Sequence, residues 1–150
     1  MTSDHGEMAV RLFDQGYNCS QAVFLVYAEQ GNLDPVVARK IATSLGAGIG
    51  RTGNICGAVG GAILAIGLLH GMKSHDDSTG REKSYSLDQR FIQEFNSRYG
   101  SIECPILLGF HLGLPDQREE AQKEGAVKKI CPGLIIGATE ILDEILKEKI

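Results

Sequence analysis

Tryptophan is absent from this 150-residue chain, and aromatic residues make up only 6% of it. Proteins that bind single-stranded nucleic acid stack bases on such rings. A basic cluster is missing too: 15 Lys and Arg stand against 19 Asp and Glu, a net charge of −4, with both signs spread along the chain. A nucleic-acid footprint is basic and clustered, so no nucleic-acid partner is expected. The longest apolar stretch holds only about fifteen uninterrupted residues, where a bilayer crossing needs roughly 20, so no membrane insertion is expected. The N-terminal residues, MTSDHGEMAVRLF, contain acidic side chains and no apolar run. They match neither a signal peptide nor a transit peptide. The expected location is therefore cytoplasmic, where stable disulfides are uncommon. Repeats, low-complexity tracts and alternating strand patterns are also lacking.

What remains is organised around Ile55 to Gly71, ICGAVGGAILAIGLLHG. Ile63, Leu64, Ile66, Leu68 and Leu69 distribute apolar groups all round a helix, the mark of burial on every side. Gly57 and Gly61 stand one turn apart, as do Ala58 and Ala62, forming a small-residue face that another backbone can approach closely. Each interior glycine costs a helix about 1 kcal/mol relative to Ala, so several together imply a packing or site requirement. A homodimer burying part of this helix is one partner expectation.

The flanking patterns are helical too. Ser3 begins a first helix with Met8, Leu12 and Phe13 at helical spacing, ending at Gly16. A second runs from Cys19 to Gly31 with Ala22, Val23, Val26 and Tyr27 on one face. Asp34-Pro35 caps and opens a third, which places Val37, Ile41 and Leu45 together. Glycines 46, 48, 50 and 53 mark a loop suited to positive φ and close backbone approach, and Asn54 then caps the central helix. No strand precedes these glycines and no GK[ST] follows, so they are not a nucleotide fingerprint. Lys73 to Lys83 reads as an exposed loop. Helical pattern resumes at Leu87, Phe91, Ile92 and Phe95 and ends near Tyr99. A short apolar element follows Cys104-Pro105, and residues 117–129 form a polar surface helix. Cys131-Pro132-Gly133 opens a last helix with Leu134, Ile135, Ala138, Leu142, Ile145 and Leu146 inward and Lys147 and Lys149 at its end. The expectation is one all-α domain over residues 1–150, of about five to seven helices by ordinary helix length, packed round the Gly/Ala-rich central helix.

Four cysteines carry the chemistry: Cys19, Cys56, Cys104 and Cys131. No CxxC is present, so zinc-ribbon and thioredoxin spacings are excluded. Their local settings are alike. Cys19 and Cys56 precede apolar helices, and Cys104 and Cys131 are each followed by proline, favoured in a first helical turn. All four are therefore expected at helix N-termini. There the dipole and free N–H groups stabilise a thiolate, lowering cysteine pKa to roughly 3.5–7.5. The thiolate is both nucleophile and metal ligand. Arg51 adds charge nearby or is a solvated loop residue. His111 is a ligand, a proton donor or a hydrogen-bonded structural residue; His70 is a cation suiting the end of the central helix; His5 and His75 read as exposed. No Ser/His/Asp arrangement can be drawn.

The core motif is Cys56-Gly57-Ala58-Val59-Gly60-Gly61, with Cys19 before it in NCSQAV and Cys104 and Cys131 after it. This resembles the redox-active C_GCAxxG_C_C family, named for four cysteines in that order. Ile55 replaces the leading Gly and Gly57 stands in the place of Ala; both keep the site small or apolar. The resemblance, from about Glu7 to Leu146, implies a small prokaryotic protein that is redox-active through its cysteines, with the motif backbone at Gly57, Ala58 and Gly60 beside any cofactor. The family is also described as similar to part of a split-Soret cytochrome, but no C-x-x-C-H haem attachment motif is present. The leading expectation is an iron–sulfur cluster on the four cysteines, serving electron transfer or redox sensing with an unidentified redox partner. The alternatives are metal-free thiol–disulfide exchange and a structural four-thiolate zinc site. Whether the protein is an oxidoreductase or an electron carrier stays open at this level.

Overall fold

The computed structural model describes residues 4–147. They form eight right-handed α-helices and no β-strand, an all-α fold with one helix more than the sequence count allowed. In order these are α1 (Asp4–Asp14), α2 (Cys19–Ala28, extended by a 3₁₀ turn at Glu29–Gly31), α3 (Pro35–Thr43), α4 (Gly57–His70), α5 (Ser78–Tyr99), α6 (Cys104–Leu108), α7 (Pro115–Glu124) and α8 (Ala126–Leu146). The expected start at Ser3 and the role of Lys149 lie outside the described residues.

The centre is the α2–α4 pair. Small residues make it possible: a side chain added at Gly61 would meet the Ser20 carbonyl oxygen at 2.5 Å and the Val23 side chain at 3.1 Å. The two backbones are therefore close to contact. Along α4, every residue from Gly57 to Ala62 is buried, as are Ala65 and Ile66. Burial on all sides ends there, since Gly67 is exposed and Leu64 and Leu68 are only half-buried. Helix α2 is as deeply enclosed, with Ala22, Val23, Phe24, Val26, Tyr27 and Ala28 all buried. Phe91 and Phe95 of α5 and Ile135, Ala138, Ile141, Leu142 and Ile145 of α8 complete the core. Each such large side chain contributes about 1.5–3 kcal/mol by leaving water.

Helix α1 is held by a polar junction that links distant parts of the chain. His5 Nδ1 lies 2.7 Å from Asp143 Oδ1, and the Tyr27 hydroxyl donates to the same oxygen at 2.8 Å. The His5 ring packs 4.7 Å from that of Tyr27. His5 is thus half-buried and partnered, not the exposed residue its polar neighbours suggested; its partner is 138 positions away.

Three other expectations change. On α3 the buried residues are Ala38 and Ala42, while Val37 and Ile41 are 43% and 47% exposed. The hydrogen bonds of α3 explain this: the side chains of Asn18 and Gln21 reach the Thr43 and Arg39 carbonyls at 2.9 and 3.0 Å, tying α3 to α2 through its alanine face. Helix α5 begins at Ser78, well before Leu87, because Asp77 caps it by accepting from the Gly80 amide at 2.9 Å. Its first two turns are polar because they face water. Helix α8 begins at Ala126, five residues before Cys131. Gly125, in the left-handed region at φ 66°, ends α7 and lets the chain restart at once. Among the described residues, no helix is long and apolar enough to cross a membrane.

Candidate functional site

Four helices deliver the cysteines. Cys19 is the first residue of α2, behind a complete capping box: Asn18 Oδ1 accepts from the Gln21 amide at 2.9 Å, and Gln21 Oε1 accepts from the Asn18 amide at 3.0 Å. The sequence signal for this box is the N-x-x-Q pattern of NCSQ. Cys56 is itself the N-cap residue of α4. Asn54, expected in that role, instead donates its side-chain amide to Thr52 Oγ1 at 2.7 Å. Cys104 opens α6 with Pro105 in its first turn. Cys131 departs from expectation: it lies inside α8, and Pro132 is an interior proline.

A short piece of extended backbone sets Cys56 and Cys104 side by side. Ile55 and Glu103 form an isolated antiparallel bridge. Around it, the Cys56 amide donates to the Ile102 carbonyl at 2.6 Å and the Cys104 amide to the Asn54 carbonyl at 2.9 Å.

The glycine-rich segment before Asn54 is a left-handed turn. Ala47, Gly48, Ile49 and Gly50 all have φ between 55° and 70° with positive ψ, and Arg51 has φ 67°. Glycine adopts this region freely, but each other residue there costs roughly 1–2 kcal/mol. The expected positive φ and close approach are met at Gly48, where a Cβ would lie 2.8 Å from that of Cys104, and at Gly53, where it would enter the His111 ring. The turn strains Ala47, Ile49 and Arg51 as well, and such strain persists only where the surrounding structure enforces it.

The four thiols line one cavity of about 210 Å³. Its other walls are almost wholly apolar, with Phe13, Leu107, Leu108, Leu112, Val127 and Leu134, together with Ala47, Gly57 and Asn18. It lies where two apolar clusters meet: Cys19 and Cys56 belong to the main core, and Cys104 and Cys131 to a small cluster around Leu108, Ala121 and Ala126. Of the motif residues, Gly57 is part of the wall, so close to Cys19 that an added Cβ would overlap its sulfur. Ala58 turns its amide toward Cys56, whereas Gly60 packs against Leu45. Arg51 and His111 do not line the cavity. His111 is hydrogen-bonded within its own loop: its Nδ1 accepts from the Gly113 amide at 3.1 Å and its own amide donates to Gln117 Oε1 at 2.7 Å.

The expected lowering of thiol pKa is reversed at Cys56, Cys104 and Cys131. Burial pushes Cys56 up to about 12, aided by the neighbouring Cys19. The Ala58 and Val59 amides at the start of α4 pull the other way, but no cap hydrogen bond is formed and they lose to desolvation. Burial and Cys19 likewise raise Cys104 to about 11. Cys131 is raised by burial and by all three other cysteines. A helix N-terminus supplies about half a charge, which does not offset a site this dry. His70 also departs from its expected cationic role at the end of α4: partial burial and the nearby Lys83 lower its pKa.

All four cysteines are free thiols. Among the described residues, no three His, Cys, Asp or Glu side chains stand close enough to hold a single metal ion. The sulfurs therefore surround a space rather than converge on a point.

The family model described as "Putative redox-active protein (C_GCAxxG_C_C)" matches residues 17–145. The chain belongs to this family. The matched region runs from just before Cys19 to the last turns of α8, so it contains all four cysteines of the C_GCAxxG_C_C pattern and every wall of the cavity except Phe13. No curated protein and no solved structure matches the chain.

Proposed function

We propose that Cys19, Cys56, Cys104 and Cys131 hold an iron–sulfur cluster used for electron transfer or redox sensing. The observation that carries this reading is the arrangement of four thiols around one apolar cavity of about 210 Å³, a space larger than a single ion needs. A tetrahedral zinc–thiolate site, with Zn–S near 2.3 Å, draws its sulfurs to about 3.8 Å of one another. A cluster distributes its four ligands over several irons and takes them further apart. The donor set fits: four soft thiolates, with no carboxylate or imidazole in the walls.

When bound, the cluster would supply one-electron chemistry, and the chain would do the rest. Leu107, Leu108, Leu112 and Leu134 exclude water, which protects the sulfurs and sets the local dielectric. The Ala58 and Val59 amides face Cys56 and offset charge on its sulfur. Ligation requires deprotonated sulfur, and burial holds the pKa of Cys56, Cys104 and Cys131 up, so loading would release protons and favour higher pH.

The test is anaerobic purification followed by a visible spectrum and by iron, sulfide and zinc assays on one sample, repeated after reconstitution. Broad visible absorbance with stoichiometric iron and sulfide is expected, and Cys56→Ser should abolish it. A reconstituted protein that stays colourless overturns the reading, toward a structural site if zinc is stoichiometric and toward metal-free thiol chemistry if no metal binds.

A further inference from the structure

A second cleft, of about 440 Å³, backs onto the cysteine cavity and shares Ala47, Leu112 and Val127 with it. Every charged residue in its walls is a cation: Arg51 from the left-handed turn, Arg118 from α7 and Lys128 from α8. No carboxylate lines it, although the chain as a whole is acidic at −4. Among the described residues, none of the three cations enters an ion pair or donates a side-chain hydrogen bond. Of the four acids of α7, Glu119 and Glu120 lie 3.6 and 3.7 Å from Lys123, and none of the four, Asp116 and Glu124 included, lines the cleft. Three like charges around one concavity repel, and a bound anion relieves that repulsion. A cleft of one sign also focuses its field on incoming counter-charges, and its volume falls within the roughly 300–1,000 Å³ usual for small-ligand sites.

We propose that the Arg51–Arg118–Lys128 cleft is a binding site for a small molecule carrying carboxylate or phosphate groups, held against the wall of the cysteine cavity. This site needs no metal, so it stands apart from the cluster reading.

The test is calorimetric titration of the whole protein at low ionic strength with succinate and, separately, with inorganic phosphate, on iron-loaded and metal-free samples. Saturable binding to both samples is expected, weakened by added salt and weakened at least tenfold in the Arg118→Ala/Lys128→Ala double variant. Its thermal unfolding should match the parent because both side chains reach solvent. A preference for succinate assigns the natural group as carboxylate, and a preference for phosphate assigns it as phosphate. Absence of saturable binding for either anion overturns the proposal. So does binding unchanged in the double variant, or binding that disappears when iron is removed.

Discussion

Cys56 and Cys104 each stand one residue beyond a partner of the Ile55–Glu103 bridge, and the amide of each donates to the segment that carries the other. Their separation is thus set by directly paired backbone rather than by side-chain packing between helices. The left-handed turn is fastened to the same junction, since the Asn54 amide donates to the Gly48 carbonyl at 2.9 Å. Gly48 then lies beneath Cys104.

That contact can be tested with two alanines. Gly48→Ala should lose about 1–2 kcal/mol from its positive φ and, in addition, drive its Cβ into that of Cys104 at 2.8 Å. Gly50 has φ 57° and nothing within 4 Å of an added Cβ, so Gly50→Ala should show the conformational cost alone. Melting temperatures should fall in both, and more in Gly48→Ala. Iron bound per chain should fall only in Gly48→Ala. Equal iron content in the two variants would show that Gly48 does not position Cys104.

Helix α4 offers a second paired comparison. Gly61→Leu places a large side chain against the Ser20 carbonyl and Val23. Backbone cannot rotate away, so the cost should reach or exceed the 1–3 kcal/mol typical of overpacking. Gly67 is exposed, with nothing near an added Cβ. Gly67→Ala should therefore stabilise the helix by up to about 1 kcal/mol. Denaturant midpoints measure both; a Gly61→Leu midpoint equal to the parent's would show that α2 and α4 are not in close contact.

Two groups should make the fold less stable in acid, over different ranges. His70 has a lowered pKa in the folded chain, through partial burial and Lys83. The unfolded chain therefore binds its proton first, and stability should begin to fall as pH drops below about 6.5, the unperturbed value. Asp77 has a lowered pKa because its carboxylate accepts from the Gly80 and Lys73 amides. Its stabilisation is complete above the unperturbed value of about 3.9 and is lost as pH falls through the folded value. His70→Gln should flatten the first decline and Asp77→Asn the second, read as unfolding midpoints against pH. A His70→Gln profile that overlays the parent's would sink the first assignment.

The helices were legible wherever their burial was one-sided or complete. Val23, Tyr27, Ile135 and Leu142 sit where their spacing put them. Helix α3 misled because its packing uses Ala38 and Ala42, and a close backbone approach favours small residues over the larger Val37 and Ile41. The start of α5 was hidden because a polar first turn looks like a loop until the Asp77 cap is seen. At the site, the four cysteines could be named from the chain, and three of their helix-end positions followed from local signals. The rise in pKa at Cys56, Cys104 and Cys131 could not, since it depends on burial by Leu108, Leu112, Val127 and Leu134, which only the tertiary fold brings round the cavity. The basic cleft was equally hidden, because Arg51, Arg118 and Lys128 come from three separate elements.

Cys131 is the residue whose placement differs most from expectation, and its neighbour provides a direct test. Pro132 lies in the interior of α8, where proline lacks the amide that would bond the Lys128 carbonyl and costs a helix about 3 kcal/mol. Pro132→Ala restores that bond, and the gain is partly offset by greater freedom of the unfolded chain, about 0.4–1 kcal/mol. The variant should therefore melt higher than the parent. If the proline also fixes the path of the first turns of α8, and with it the direction in which Cys131 faces the other thiols, the same variant should bind less iron. Higher stability with unchanged iron would mean that the proline is merely tolerated. Higher stability with reduced iron would mean that α8 gives up helix stability to place the fourth sulfur.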